Sequence, residues 1–186
     1  MNWKTLNTQT EDFALRLNRA LDELEIREIC QDLEMDHICV RLQNNSDVDS
    51  LKIELSQAGE IISSVQVNGR EISIIQLAEP LQLESWKAYG IELPYPKPNH
   101  SYIDGWEHVE FVLHEAENTM NGVRHAFFEK FTHLDRDKLM SNYEYSEDEP
   151  TTEEDQMPNP TVGLKVYGVG LKFHAHPIQK IVGFTK

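Results

Sequence analysis

The sequence predicts an α+β fold of two modules, each ordered strand, helix, three strands (βαβββ), behind an N-terminal helical extension. Three observations carry that expectation. A phrase of an acid, a histidine and alternating apolar residues occurs twice, as Asp36-His37-Ile38-Cys39-Val40-Arg41-Leu42 and as Glu107-His108-Val109-Glu110-Phe111-Val112-Leu113. A helical pattern and then further strand patterns follow each copy. The chain before the first copy carries an apolar stripe with helical spacing.

The extension spans residues 1–33, where Phe13, Leu17, Leu21 and Leu24 share one face of a helix and Thr8 with Glu11 has the form of a capping box. The first module, residues 34–98, opens on the Asp36–Leu42 strand. A helix capped by Ser46 or Asp47 follows, with Val48, Leu51, Leu55 and Ala58 inward and Gly59 as a left-handed stop. Asn68-Gly69 then joins two strand arms, Ile61–Val67 and Glu71–Leu77, as a hairpin. Lys87–Leu93 reads as the last strand, stopped by Pro94-Tyr95-Pro96-Lys97-Pro98, where amide donors are missing. The second module, residues 99–186, repeats the strand from His108 to Leu113 and a helix from about Glu117 to Phe131. Residues 144–155 hold seven acids and no base, which reads as a solvated loop, with a further strand expected before Pro150 near Tyr143. Thr161–Tyr167 and Val169–His174 close the module as two strands about Gly168. Residues 34–186 are expected to share one structural domain.

Composition narrows the function. A formal charge of −15, from 32 acids against 17 bases, opposes binding to nucleic acid or to an anionic membrane surface. No apolar stretch approaches the roughly 18 residues of a membrane span, and the start Met1-Asn2-Trp3-Lys4 lacks a secretory hydrophobic run. The expected compartment is the cytoplasm, with Cys30 and Cys39 as reduced thiols. With both modules on one chain, a monomer is expected, and the expected partner is a small molecule.

In each repeated strand the apolar residues form one face, so His37 and His108 project from equivalent places on the other. Two equivalent imidazoles in neighbouring strands supply two halves of a metal site. Glu92 and His174 are the ligand-capable residues well inside the two closing strands, although His176 has the same parity as His174. The set His37, Glu92, His108 and His174 gives three nitrogens and one oxygen, suited to one divalent ion of zinc, iron, nickel or manganese. Glu110 shares the His108 face and is a candidate general base, or else a partner that holds an imidazole. Arg41, on the His37 face, either clamps an anionic substrate or neutralises Glu92 or Glu110.

The module order, with Asp36-His37-Ile38, Ile91-Glu92-Leu93-Pro94, Gly105-Trp106-Glu107-His108, Pro158-Asn159-Pro160-Thr161 and Lys172-Phe173-His174, resembles the YecM family of the vicinal oxygen chelate superfamily of glyoxalase-like proteins. That resemblance implies paired modules forming a half-open mixed-sheet barrel around a cleft, with a divalent metal held by first and last strands. His37 and His108 match the first-strand ligands, and Glu92 the last-strand carboxylate. The second module departs from the superfamily pattern: where a closing glutamate is often found, this chain has Lys172 and His174. The implied activity is Lewis-acid chemistry of isomerase, lyase or dioxygenase type on a small oxygen-rich metabolite. The alternative is a protein that binds a small ligand or metal without turning it over.

Overall fold

The computed structural model describes residues 1–67, 69–150, 152 and 155–185. The extension is helical in three pieces: α1 (Trp3–Thr8), α2 (Thr10–Glu23) and α3 (Arg27–Gln31). The Thr8/Glu11 capping box does not form, because Thr8 ends α1 and its hydroxyl donates to the Thr5 carbonyl at 2.7 Å. Glu25, with φ 55°, turns the chain between α2 and α3. The predicted stripe of Phe13, Leu17, Leu21 and Leu24 is buried in the main core. Trp106 anchors the extension by donating its indole N–H to the Leu6 carbonyl at 3.0 Å.

The first repeat supplies β1 (Glu34–Arg41), α4 (Asn45–Ala58), β2 (Gly59–Val67), β3 (Arg70–Leu83) and β4 (Trp86–Pro94). The second supplies β5 (Gly105–Val112), α5 (Met120–Lys130), α6 (Arg136–Asn142), β6 (Glu144–Asp148), β7 (Thr161–Val166) and β8 (Val169–His174), and a short α7 (Ile178–Ile181) follows. Among the described residues the strands form one mixed sheet in the order β2-β3-β4-β1-β5-β8-β7-β6. This order is a palindrome: β1 and β5 pair antiparallel at the centre, and each repeat fans outward from its own first strand through a parallel neighbour. The edge strands approach a common cleft, since Val67 of β2 lines it together with Ser146 and Asp148 of β6. The sheet is therefore curled around its inner face. On the outer face Ile38, Val40, Val109 and Phe111 meet α2, α4 and α5 in one core, where Phe111 stacks on Phe173 and Phe127 meets Phe131 and Phe173 edge to face.

Several local expectations change for identifiable reasons. Gly59 is not a left-handed cap: its φ is −168°, and a Cβ there would lie 2.2 Å from the Gln76 carbonyl oxygen, so close approach to β3 selects the glycine. Ser46 and Asp47 lie inside α4, whose cap is Asn44. Gly69, with φ +79°, supplies the left-handed residue of the β2–β3 turn, while Asn68 lies outside the described residues. The β7–β8 turn uses Tyr167 and Gly168 at φ 50° and 78°, the pair of positive values that a two-residue hairpin requires.

The strand expected before Pro150 near Tyr143 is β6, and the loop reading of residues 144–155 is corrected over its first five residues. Charge is accommodated there by pairing. Glu147 accepts from Arg124 at 2.5 Å, Arg136 at 2.9 Å and the Tyr145 hydroxyl at 2.6 Å. These contacts, led by the Arg124 hydrogen bond, bring the Glu147 pKa down to about 2. Glu147→Gln is expected to cost about 1 kcal/mol at neutral pH. A depressed carboxylate stabilises the fold above its unfolded-state pKa. The difference from wild type should therefore shrink as pH falls through the ordinary carboxylate range toward about 2, read as converging urea midpoints.

Candidate metal centre

The central β1–β5 pair brings the two repeated phrases together. Its register sets His37 opposite Glu110 and Cys39 opposite His108, and β4 places Glu92 beside Cys39. His37, Glu92, His108 and Glu110 converge on the inner face, each offering one donor atom within 4.8 Å of the others. Glu110 Oε1 lies 3.3 Å from both His37 Nε2 and His108 Nε2. Glu92 Oε2 lies 3.7 Å from His37 Nε2 and 3.6 Å from His108 Nε2. Such separations are the edges of a tetrahedron whose corners stand about 2.0–2.3 Å from its centre, the range of zinc–nitrogen and zinc–oxygen bonds. All four residues are at least nine-tenths buried, and His108 Nε2 has no hydrogen-bond partner among the described residues. A buried nitrogen aimed at carboxylates and left unbonded fits an ion.

The acid before each histidine explains the aim of its ring. In a regular strand neighbouring side chains point to opposite faces, yet His37 Nδ1 lies 2.7 Å from Asp36 Oδ2 and His108 Nδ1 lies 2.9 Å from Glu107 Oε2. The β1–β5 register shifts at just these acids: Asp36 is the extra residue between Met35 and His37, and Glu107 faces the break between Cys39 and Val40. Each bulge turns its acid toward the following imidazole. The acids then hold Nδ1, leaving Nε2 for the centre. Behind the rings, Gly90 stands beside His37 and Gly170 beside His108, where a Cβ would come within 2.6 Å and 2.5 Å of the histidine Cβ.

The electrostatics agree with a cation site. Burial pushes the His37 pKa down, but Glu110, Asp36 and Glu92 outweigh it and hold it well above its ordinary value. For His108 burial acts the same way and is overcome with contributions from Cys39 and Glu107. Glu92 and Glu110, although burial favours their neutral forms, are held well below the carboxylate range by Lys172 and the two histidines. Such a cluster attracts positive charge, as protons or as a metal. Glu107 is likewise disfavoured by burial, yet its bonds to His108 and Arg41 bring it down to about 2.

The other candidate residues lie around this group. Arg41 donates to Glu107 at 2.6 Å and approaches Glu92 at 4.0 Å, so it supports the acid behind His108 while also lining the cleft. His174 is fully buried but stands outside the group of four: its Nδ1 faces Asn159 Oδ1 at 3.2 Å and its Nε2 faces Asp36 Oδ2 at 3.4 Å. It can join only a smaller set with Asp36 and His37. His176 lies near Lys180, 3.5 Å away, and is not in these groups. Register accounts for the position of His174. In the parallel pairs Gly90 matches His37 as Gly170 matches His108, so the counterpart of Glu92 is Lys172, two residues before His174. Lys172 donates to Glu110 at 2.7 Å. Sequence reasoning noted Lys172 at the closing position without its contact to Glu110, and passed over the anchoring roles of Asp36 and Glu107 and of the two glycines.

The centre opens on a cleft of about 510 Å³ that His37, Glu92 and Glu110 line with Arg41, Arg70, Lys97 and Lys172. After β8 the chain crosses to the first repeat, where Ile178 and Ile181 pack on Ile74 and the Ile178 amide donates to both Asp36 oxygens at 3.1 and 3.0 Å. No helix among the described residues is long and apolar enough to cross a membrane.

Comparison with known proteins gives a consistent result. Protein YecM of Escherichia coli K12 is 31% identical over 186 residues, covering 97% of this chain and 96% of that protein. An uncharacterised protein of Haemophilus influenzae is 28% identical over 196 residues, covering 97% and 98% respectively. A solved structure described as structural-genomics protein EC4020 superposes with a TM-score of 0.78 at 24% identity, covering 97% of this chain and 91% of the other, which supports the fold. The family model described as YecM protein matches residues 2–184, and the chain belongs to the YecM family.

Proposed function

We propose that the chain is a divalent-metal protein in which His37, Glu92, His108 and Glu110 hold the ion at the floor of a ligand cleft. The observation that carries this reading is the pair of equal 3.3 Å approaches of Glu110 Oε1 to two imidazole nitrogens whose opposite ring atoms are each fixed by a carboxylate. Two nitrogens and two oxygens suit zinc, iron, nickel or manganese. His174 is assigned instead to the packing around Asp36. A bound ion would supply Lewis-acid stabilisation of negative charge on an oxygen of the bound molecule.

The chain's own groups then divide the remaining tasks. Lys172 places a positive charge beside Glu110, Arg41 steadies Glu107 and through it His108, and the C-terminal segment screens part of the inner face from water. Glu110 faces both the cluster and the cleft. We assign it first to the donor set, since Lys172 and the two imidazoles lower its proton affinity; a base role in an isomerase, lyase or dioxygenase type of reaction on a small oxygen-rich molecule would require Lys172 to draw away. The binding-only alternative rests on the same geometry.

Elemental analysis of untagged protein should find about one transition metal per chain. His37→Ala and His108→Ala should each reduce occupancy at least tenfold, whereas His174→Ala should keep it. Retention by both of the first two variants would overturn the assignment. Loss in His174→Ala at unchanged fold would move the site to the Asp36 side. Exchange of solvent protons into hydroxy- or keto-acids by the metal-loaded protein supports a catalyst, and its absence with every metal supports a binder.

A further inference from the structure

We infer that the cleft takes a small carboxylate carrying a short apolar group, with the carboxylate held by Arg70 and Lys97 and the apolar group lodged in an adjoining recess. Of the four cations that line the cleft, two stand without an acid in ion-pair distance among the described residues. Arg41 and Lys172 are engaged with Glu107 and Glu110. Arg70 has no carboxylate partner among the described residues. Its Nη1 donates to the Tyr95 carbonyl at 3.3 Å, while its Nε is buried and unbonded there. Lys97, exposed on the proline-rich loop after β4, also has no described acid partner and lines the same cleft. Arg41 adds a third nearby charge: its buried Nη1 makes no hydrogen bond among the described residues and stands 4.0 Å from Glu92 Oε1. Burial and Arg41 together push the Arg70 pKa down, outweighing the opposing influence of Glu92 across the cleft. Asp148 and Glu149 line the cleft as well, but both are exposed at its rim.

Beside these cations lies a mainly apolar recess of about 90 Å³, where Val65, Val67, Ile72, Ile74, Ile178 and Ile181 form most of the wall and Glu92 and Asp155 its acidic edge. It is continuous with the cleft, since Val67, Ile72, Glu92, Pro150, Asn159 and Ile178 line both. A guanidinium with free N–H groups is suited to a planar carboxylate, and the isoleucine and valine walls favour an aliphatic substituent over a second charge. The inference rests on the reading of this cleft as a ligand site, but the anion contacts do not involve the metal donors.

The test uses the full chain, both stripped of metal with a chelator and as purified, in an NMR titration with 4-methylpentanoate, 4-methylpentanamide and acetate. The stripped protein should bind 4-methylpentanoate at least tenfold tighter than either comparator. Arg70→Gln with Lys97→Gln should erase the preference over the amide at unchanged metal content, and Lys97→Gln alone, on an exposed loop, should reduce it. Equal binding of acid and amide, no binding of either, or a preference retained in the double substitution overturns the inference. Metal content is read separately, so failure of the ion assignment leaves this result distinct.

Discussion

Replacing Gly170 by alanine is expected to destabilise the protein by about 2–3 kcal/mol and to reduce metal occupancy at least tenfold, and Gly90→Ala should behave alike. The new methyl would lie 2.5 Å from His108 Cβ in one case and 2.6 Å from His37 Cβ in the other. Both atoms are fixed to backbone, so neither can rotate away, and the parallel strand pair must separate. That displacement acts directly on a donor. Gly168→Ala is the control: its Cβ meets nothing within 4 Å, and its φ of +78° implies only backbone strain of about 1 kcal/mol. Urea midpoints and elemental analysis of the three variants should therefore separate loss of stability from loss of the ion. A Gly170→Ala protein with normal metal content would show that the close approach is not needed by the centre.

Asp36→Ala is expected to have the second large effect, about 3 kcal/mol in stability together with a ten- to hundredfold weakening of metal affinity. Asp36 is 3% exposed and accepts from the Ile178 amide through both oxygens while facing His37 Nδ1. Its removal leaves a buried amide and an imidazole nitrogen without their acceptor. Glu107→Gln is the informative partner, because Glu107 holds His108 as Asp36 holds His37 but is 28% exposed in its side chain and binds no distant backbone. A stability loss of only about 1 kcal/mol is expected there, with a comparable effect on affinity. Equal stability losses in the two variants would show that the C-terminal contact contributes little. Unchanged metal affinity in both would show that the rings are aimed by something else.

Much of this arrangement was legible because it depends on period and repetition. Alternation in the two acid–histidine phrases assigned Ile38, Val40, Val109 and Phe111 to the core and the histidines to the inner face, and the structure keeps that division. Glu110 was legible as a cleft-facing residue from its two-residue offset from His108. Its approach to His37 was not, since this depends on the antiparallel β1–β5 register, a contact between residues far apart in the chain. The placing of His174 turned on register too. Aligning Gly90-Ile91-Glu92 with Gly170-Leu171-Lys172 would have paired Glu92 with Lys172, but the glycines carried no meaning until each was seen against a histidine. The acids Asp36 and Glu107 were hidden for another reason: a regular strand points adjacent residues apart, and only a bulge lets each reach its neighbour. A strand before Pro150 was legible, but its overlap with the acidic run was not, because seven acids among twelve residues suggest solvent and nothing local announces that Arg124 and Arg136 will neutralise Glu147.

The grip of the Ile178 amide on Asp36 also imposes a sequence of events during synthesis. Strand β1 is made early, but the contact that fixes the acid behind His37 comes from Ile178, made well over one hundred residues later. A growing chain can pair β1 with its neighbours long before that ring is steadied. At the proposed centre, firm aim of the His37 ring would thereby wait for the segment after β8, while His108 already has Glu107 beside it in the chain.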